Sequence, residues 1–183
     1  GDATVVMPTG TGKTETMLAA VCGLPVNRAL VIVPTDSLRQ QTFKKFIALG
    51  KLRDLNAING TALNPVTALL EGAIASEEEL NIVLKANVIV TTPLSLYQVD
   101  AKLKSDLYES CSHLFVDEAH HVRANTWLAV KEAFKDKPVV QFTATPFRED
   151  RKKVGGQIIY SYPMSKAQEN GLFREITFRA IYE

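Results

Sequence analysis

The chain has 183 residues, of which 46% are hydrophobic and 22% charged, and its formal net charge is +1. These values are typical of one soluble globular domain with a sizeable core, and the length is short for two domains. The near-zero net charge excludes a global basic attraction to nucleic acid. It is compatible with a local basic groove, because steering depends on how charge is distributed.

The sequence predicts a cytoplasmic protein without a membrane partner. No apolar run is long enough to span a bilayer, and the chain does not start with the charged-then-apolar pattern of a signal peptide. The two cysteines, Cys22 and Cys111, lack metal-site spacing and cannot form a disulfide framework. We therefore expect two reduced thiols, as in an intracellular protein.

Short apolar runs alternate with helical patterns along the chain. Apolar residues at helical spacing predict helices over Lys13–Cys22 and Ser37–Leu49. Near-continuous apolar runs are typical of a parallel sheet buried on both faces, and the alternation predicts a doubly wound α/β fold with helices on both faces of that sheet. The predicted strands are Ala3–Met7, Ala29–Val33, Asn87–Val90, His113–Val116 and Val139–Phe142.

The later part of the chain has a different pattern. Ser76 before three glutamates predicts a helix N-terminus with acids in its first turn. A charged loop-like segment follows at 148–153. Beyond it the sequence predicts a strand at Gln157–Tyr162, a short helix at Met164–Asn170 that ends at Gly171, and a final strand at 176–182.

A phosphate-binding loop is predicted between the first strand and the first helix. Gly10 and Gly12 allow the backbone to curl so that successive N–H groups face inward, and the helix that follows adds its positive end. Lys13 can reach the β- and γ-phosphates, and Thr14 offers a hydroxyl to Mg²⁺. The alternative is a Gly-rich turn without a ligand. The predicted nucleotide contacts are Pro8, Thr9, Gly10, Thr11, Gly12, Lys13 and Thr14.

The loop departs from the general pattern G-x-x-x-x-G-K-[ST] at one position. The pattern has glycine first, whereas this chain has Met7 followed by Pro8. The remaining G-x-G-K-T lies between strand and helix, which is the structural context that the motif requires.

A second candidate site follows the strand His113–Val116. Two adjacent acids, Asp117 and Glu118, are costly at the end of a buried strand unless a cation pairs with them. Mg²⁺ between Asp117 and the phosphates would be such a cation, and Glu118 could orient or activate an attacking water. The alternative is a surface turn with an ordinary helix cap.

Taken in order, these segments resemble the first RecA-like lobe of superfamily 2 helicases and translocases. Met7 to Thr14 resembles motif I, Asp117-Glu118-Ala119-His120 motif II, and Thr143-Ala144-Thr145 motif III. Pro34-Thr35-x-x-Leu38-x-x-Gln41 resembles motif Ia, and Thr91-Thr92-Pro93 resembles motif Ib. Within the superfamily, Asp-Glu-Ala-His-His and Thr-Ala-Thr-Pro-Phe-Arg are most similar to DEAH-type DNA helicases and the motor subunits of type I and, above all, type III restriction enzymes.

The resemblance implies an ATP-dependent motor with ATP and Mg²⁺ as cofactors. It implies that Lys13, Asp117, Glu118 and His120 serve catalysis, that Thr14 and Asp117 hold the metal, and that Thr143 and Thr145 couple the nucleotide site to nucleic acid. The nucleic-acid track would be lined by Thr35, Arg39, Gln41, Thr91 and Thr92. DNA is favoured over RNA as the track, and nuclease or methylase subunits are candidate partners.

The resemblance also implies parts that the chain lacks. Residues 1–150 correspond to the ATP-binding lobe, and 151–183 to an extension toward a second RecA-like lobe that supplies an arginine finger. Because the chain starts on a strand, we expect it to be a fragment without the upstream glutamine motif that recognises adenine. An arginine finger is worth about 10³–10⁵ in rate, so we expect the fragment to hydrolyse ATP very slowly.

Two other functions are compatible with parts of the sequence. A binding module that holds nucleotide or nucleic acid without turnover is the main alternative, but it has no need of an intact Lys13, Asp117 and Glu118 together. A P-loop kinase or GTPase has no reason to carry the Asp-Glu-Ala-His and Thr-Ala-Thr motifs. Nucleic acid would raise the ATPase rate of a motor and leave a kinase unchanged.

Overall fold

The computed structural model of the chain describes residues 1–118, 124–145 and 155–174. The strands are β1 Asp2–Val6, β2 Ala29–Ile32, β3 Thr67–Leu69, β4 Val88–Thr91, β5 His113–Val116, β6 Val139–Thr143 and β7 Gln157–Ser161. The helices are α1 Lys13–Gly23, α2 Asp36–Ala48, α3 Glu77–Val83, α4 Pro93–Gln98, α5 Ala101–Ser110, α6 Ala124–Ala133 and α7 Met164–Glu169. The predicted segments 148–153 and 176–182, and His120, lie outside the described residues.

The described strands form one sheet in the order β3-β4-β2-β5-β6-β1-β7, and every pairing in it is parallel. Parallel neighbours need crossover connections, and helices supply most of them here. The predicted α/β fold with a parallel sheet is therefore confirmed. None of the described helices combines the length and apolar composition needed to cross a membrane.

Both faces of the sheet carry hydrophobic core, which explains the near-continuous apolar runs. On β2, Leu30 packs with side chains of α3, α5 and α6, whereas the neighbouring Val31 packs with those of α1 and α2. The side chains of a strand alternate between faces, so a strand covered on both sides needs apolar residues at every position.

The predicted strands and helices agree with the structure to within one residue at each end. Ser76 caps α3 as predicted, since its hydroxyl accepts from the backbone N–H of Glu79 at 3.2 Å. The sequence did not predict β3, α4, α5 or α6. Strand β3 has three residues and α4 has six, which is too short for hydrophobic periodicity to be recognised.

The sheet-edge strand β7 is held against β1 by a polar anchor at Gly155. Its carbonyl accepts hydrogen bonds from Thr4 Oγ1 at 2.9 Å and from Gln141 Nε2 at 3.0 Å. The next residue, Gly156, has φ 96°, and a Cβ at that position would lie 3.0 Å from the Asp2 carbonyl oxygen. Both the positive φ and the lack of room for a Cβ therefore favour glycine at the residue that precedes β7.

The Gly156→Ala variant is expected to lower the free energy of unfolding by about 2–4 kcal/mol, because an unfavourable φ and a steric clash act together. Urea denaturation would measure this loss. Gly23→Ala is the matched control, since a Cβ at Gly23 meets nothing within 4 Å. Its effect should stay within about 0.5 kcal/mol. Equal stability of the Gly156→Ala variant and the wild type would contradict the strain argument.

Candidate nucleotide site

The predicted phosphate loop and the acid pair meet at the carboxyl edge of the sheet. Strand β1 leads into the loop and β5 leads into Asp117 and Glu118. Both segments line one cavity of about 630 Å³. Three strands, β2, β3 and β4, separate these segments in the chain, but parallel strands bring their carboxyl ends to the same edge.

The N-terminus of α1 carries no side-chain cap. Four other helices have one: Thr35, Ser76, Thr92 and Asp100 each accept a backbone N–H at the start of α2, α3, α4 and α5. The corresponding residue of α1 is Gly12, with φ 95°, which has no side chain to cap the helix. The first N–H groups of a helix have no partner within the helix, so the start of α1 can bind an anion.

The loop before α1 is folded on itself. The Pro8 carbonyl accepts from the Thr11 hydroxyl at 2.7 Å and from the Thr11 N–H at 3.3 Å. Gly10 has φ 85°, which only glycine adopts readily. Residues Thr9 to Thr16 all line the cavity, whereas Pro8 is buried and does not.

Lys13 forms an ion pair with Glu118. Its Nζ lies 2.6 Å from Glu118 Oε1, and the two side chains are 7% and 13% exposed. Lys13 Nζ also donates to the Met7 carbonyl at 3.4 Å. Glu118 has φ 48°, which is uncommon for a residue other than glycine. The structure thus brings together the predicted phosphate-binding lysine and the predicted catalytic base.

Asp117 is buried beside a second negative charge. Burial raises its pKa to about 6, and the charge of Glu118 acts in the same direction, while Lys13 opposes both. Asp117 Oδ1 accepts the Glu118 N–H at 3.0 Å. A carboxylate under this constraint is stabilised by a nearby cation.

The donors at this end of the cavity fit Mg²⁺. The Asp117 carboxylate and the Thr14 hydroxyl both line it, and Mg²⁺ prefers oxygen ligands. Among the described residues, no group of three or more His, Cys, Asp or Glu side chains could hold a metal. Protein-bound Mg²⁺ commonly takes one or two carboxylates together with substrate phosphates, so a single aspartate suits this mode of binding.

The end of β6 adjoins the phosphate loop. The Met7 N–H donates to the Thr143 carbonyl at 2.9 Å, which joins the start of the loop to β6. Thr143 Oγ1 donates to the Thr145 carbonyl at 2.6 Å and accepts the Thr145 N–H at 3.2 Å. The two predicted coupling residues therefore form a turn beside the first residue of the loop.

Four of the five predicted nucleic-acid residues form one neighbourhood at the starts of α2 and α4. The buried Arg39 side chain donates to the Leu70 carbonyl at 3.3 Å and to Ser95 Oγ at 2.9 Å. Thr91 Oγ1 donates to the same carbonyl at 3.4 Å, and Thr92 Oγ1 lies 3.2 Å from Ser95 Oγ. The exposed Thr35 lies at the same helix start, where its hydroxyl accepts the Leu38 N–H at 3.3 Å and its carbonyl accepts the Arg39 N–H at 2.9 Å.

The fifth residue, Gln41, lies apart from this cluster. It is exposed and lines the phosphate cavity. Sequence reasoning also missed Ser95, which joins Arg39 to Thr92, although a Ser three residues after Thr92 could have indicated a capped helix start. It also missed further cavity residues, among them Lys45, Lys51, Leu55 and Leu172, for which the sequence carries no signal.

Comparison with known proteins gives one family and a set of helicase structures. Residues 2–148 match the family described as "Type III restriction enzyme, res subunit". None of the curated proteins matches. Among solved structures, the UvsW helicase from bacteriophage T4 is similar with a TM-score of 0.60 and 14% identity, over 86% of this chain and 54% of that one. The chain thus spans about half the length of that helicase, and the likeness shows a common fold.

Two structures of the arterivirus helicase, nonstructural protein 10, are also similar. The protein without DNA has a TM-score of 0.45 and 19% identity, over 85% of this chain and 30% of that one. Its complex with DNA has a TM-score of 0.46 and 16% identity, over 88% and 35%. These TM-scores are too low to carry a structural conclusion.

Proposed function

Since the chain belongs to the family of the type III restriction enzyme res subunit, we propose that it is the ATP-binding lobe of a DEAH-type nucleic-acid motor. It binds ATP with Mg²⁺ and hydrolyses it on nucleic acid once a second RecA-like lobe completes the site. One observation carries the proposal: the uncapped start of α1 lies in the same cavity as Lys13, Asp117 and Glu118.

Different groups of the chain have different roles in binding and hydrolysing a triphosphate. The N–H groups at the start of α1 hold the phosphate oxygens, and Lys13 leaves Glu118 to bind the terminal phosphates. Glu118, released from that ion pair, accepts a proton from the attacking water. Thr14 and Asp117 would hold Mg²⁺, which neutralises charge on the phosphates when bound.

The cluster of Thr35, Arg39, Thr91 and Thr92 is the proposed track for nucleic acid. Arg39, Thr91 and Thr92 are buried and support the starts of α2 and α4, so the exposed Thr35 and the backbone amides there are the groups proposed to contact phosphates. Such contacts do not read bases, as a motor that moves along any sequence requires. Thr143 and Thr145 adjoin both the loop and β6, so a shift at either can move the other. His120 is proposed to take part in this coupling.

The remaining proposals concern the whole protein. Residues 1–150 form the motor lobe and 151–183 the extension toward the second lobe. DNA is the proposed track, nuclease or methylase subunits are proposed partners, and the proposed location is the cytoplasm. Because the arginine finger would come from a second lobe, residues 1–183 by themselves are proposed to hydrolyse ATP very slowly. A module that binds nucleotide without turnover remains the rival, and nucleic-acid-stimulated ATPase activity of the two-lobe protein would exclude it.

The Lys13→Ala variant tests the nucleotide site. Titration calorimetry with Mg²⁺-ATP, with and without single-stranded DNA, is expected to show binding by the wild type and a loss of at least about 100-fold in the variant, because a buried charge-assisted contact disappears. Lys102→Ala is the matched control. Lys102 is 72% exposed and pairs with Glu77 at 2.7 Å, and a Lys102→Ala variant should bind ATP like the wild type.

Equal binding by the wild type and by the Lys13→Ala variant would contradict the assignment of the triphosphate to this loop. Weaker binding in both lysine variants would indicate a nonspecific effect of lost positive charge. Circular dichroism of each variant would establish that it is folded.

A further inference from the structure

The segment Gly171–Phe173 reaches the phosphate loop from outside the residues that match the family. The match ends at residue 148, yet Leu172 lines the same cavity as the loop and the acid pair. A Cβ built on Gly10 would lie 3.7 Å from Phe173 Cζ, so the Phe173 ring lies beside the loop. The segment adds an apolar side to a cavity whose loop residues are polar.

Two backbone features hold this segment in place. Strand β7 pairs with β1, the strand that leads into the phosphate loop. Helix α7 ends in a Schellman motif: Gly171, with φ 72°, donates its N–H to the Gln168 carbonyl, and Leu172 donates to the Ala167 carbonyl, both at 2.9 Å. The position of Leu172 therefore follows from the sheet and from the helix end.

The Leu172 side chain is 54% exposed beside the cavity. If the start of α1 holds the triphosphate, the sugar and base extend away from the loop. The wall formed by α2 and the turn after it carries Lys45 and Lys51 together with Leu38 and Leu55, whereas Gly171–Phe173 carries no charge. A nucleobase has an apolar face, and burying that face against an aliphatic side chain is favourable.

We propose that Leu172 is a base-contact residue of the nucleotide site and that Phe173 keeps the segment against the phosphate loop. The inference rests on the proposed function and adds the part of the site that receives the base. The contact is apolar and has no hydrogen-bond donor, so it strengthens binding of purine nucleotides without selecting adenine over guanine. It contributes nothing to a ligand that has phosphates and no base.

Calorimetry of the Leu172→Ala variant with two ligands tests this inference. The affinity for Mg²⁺-ATP is expected to fall about three- to tenfold, with a similar fall for Mg²⁺-GTP, because apolar contact area is lost. The affinity for Mg²⁺-tripolyphosphate is expected to stay unchanged. Leu55→Ala is the matched control: Leu55 is 66% exposed and lines the same cavity, so the change removes a similar side chain elsewhere on the wall.

The outcomes separate this inference from the proposed function. Wild-type binding of ATP and tripolyphosphate, together with unchanged ATP binding by Leu172→Ala, overturns the base contact and leaves the proposed function intact. An equal loss for both ligands also overturns it, since the residue would then act on the loop. Weaker ATP binding by Leu55→Ala, with unchanged binding by Leu172→Ala, would place the base against the wall formed by α2 and the turn after it and would overturn the inference. If the wild type binds neither ligand, both proposals fail.

Discussion

The Glu118→Gln variant is expected to bind ATP about three- to tenfold more tightly than the wild type and to turn over ATP about 10²–10⁴-fold more slowly in a protein with the second lobe. Both effects come from one carboxylate. In this structure it holds Lys13 Nζ at 2.6 Å, so the lysine must leave it to reach phosphates. Glutamine is a weaker partner for the lysine, and it cannot accept the proton of the attacking water.

Two measurements separate these effects. Calorimetry with Mg²⁺-ATP on this chain gives the affinity, and single-turnover hydrolysis by the two-lobe protein gives the rate. Glu132→Gln is the matched control, because Glu132 pairs with Lys135 at 3.1 Å on the exposed surface. The Glu132→Gln variant should match the wild type in both its affinity for Mg²⁺-ATP and its rate of hydrolysis. Retained turnover in Glu118→Gln would exclude Glu118 as the base, and weaker ATP binding would show that the ion pair does not compete with the nucleotide.

The Asp117→Asn variant is expected to be more stable than the wild type at pH 7 and to lose Mg²⁺-dependent ATP binding. The pKa of Asp117 rises from 3.8 to about 6, mainly because the carboxyl is buried. Above pH 6 the Asp117 carboxylate is ionised in the folded wild type, where it is buried. In the unfolded chain the same charge is solvated by water and therefore costs less free energy. This difference is worth on the order of 1–3 kcal/mol, and asparagine removes it. Its side-chain oxygen can still accept the Glu118 N–H.

The raised pKa of Asp117 determines the direction in which the stability of the wild type changes with pH. The folded-state pKa is raised, so the stability due to a neutral Asp117 is fully present below pH 3.8 and is lost as the pH rises through about 6. Urea denaturation without Mg²⁺ should therefore show the advantage of Asp117→Asn at pH 7 and its steady decline toward pH 4. An advantage that does not change with pH would contradict the electrostatic cause. Calorimetry at pH 7 checks the loss of Mg²⁺-ATP binding.

Much of the nucleotide site is encoded in short contiguous segments. Gly10, Gly12 and Lys13 are close in sequence, and the strand before them and the helix after them have clear patterns. Asp117 directly follows a four-residue apolar strand. Both segments end parallel strands, so their meeting at one edge follows from general topology. For that reason the sequence predicted that the loop and the acid pair lie together, and both line one cavity, although Pro8 does not line it and Leu172 was not predicted.

The sequence could not determine which side chains the fold turns inward at the same edge. Arg39 and Gln41 are two residues apart on α2, yet Arg39 is buried against Leu70 and Ser95 while Gln41 lines the phosphate cavity. Residues two apart on a helix point in different directions, and their partners come from elements far along the chain. The resemblance to the helicase motifs grouped them together.

The sequence alone predicts the fold class, six of the seven described strands to within a residue, and the candidate phosphate loop with its acid pair, because local periodicity and short motifs encode them. The pairing of Lys13 with Glu118 and the position of Leu172 at the cavity wall became evident from the three-dimensional fold. The position of Leu172 depends on the pairing of β7 with β1, whose partners are more than 150 residues apart. Such pairing is fixed by non-local hydrogen bonds and core packing, which no short stretch of sequence contains.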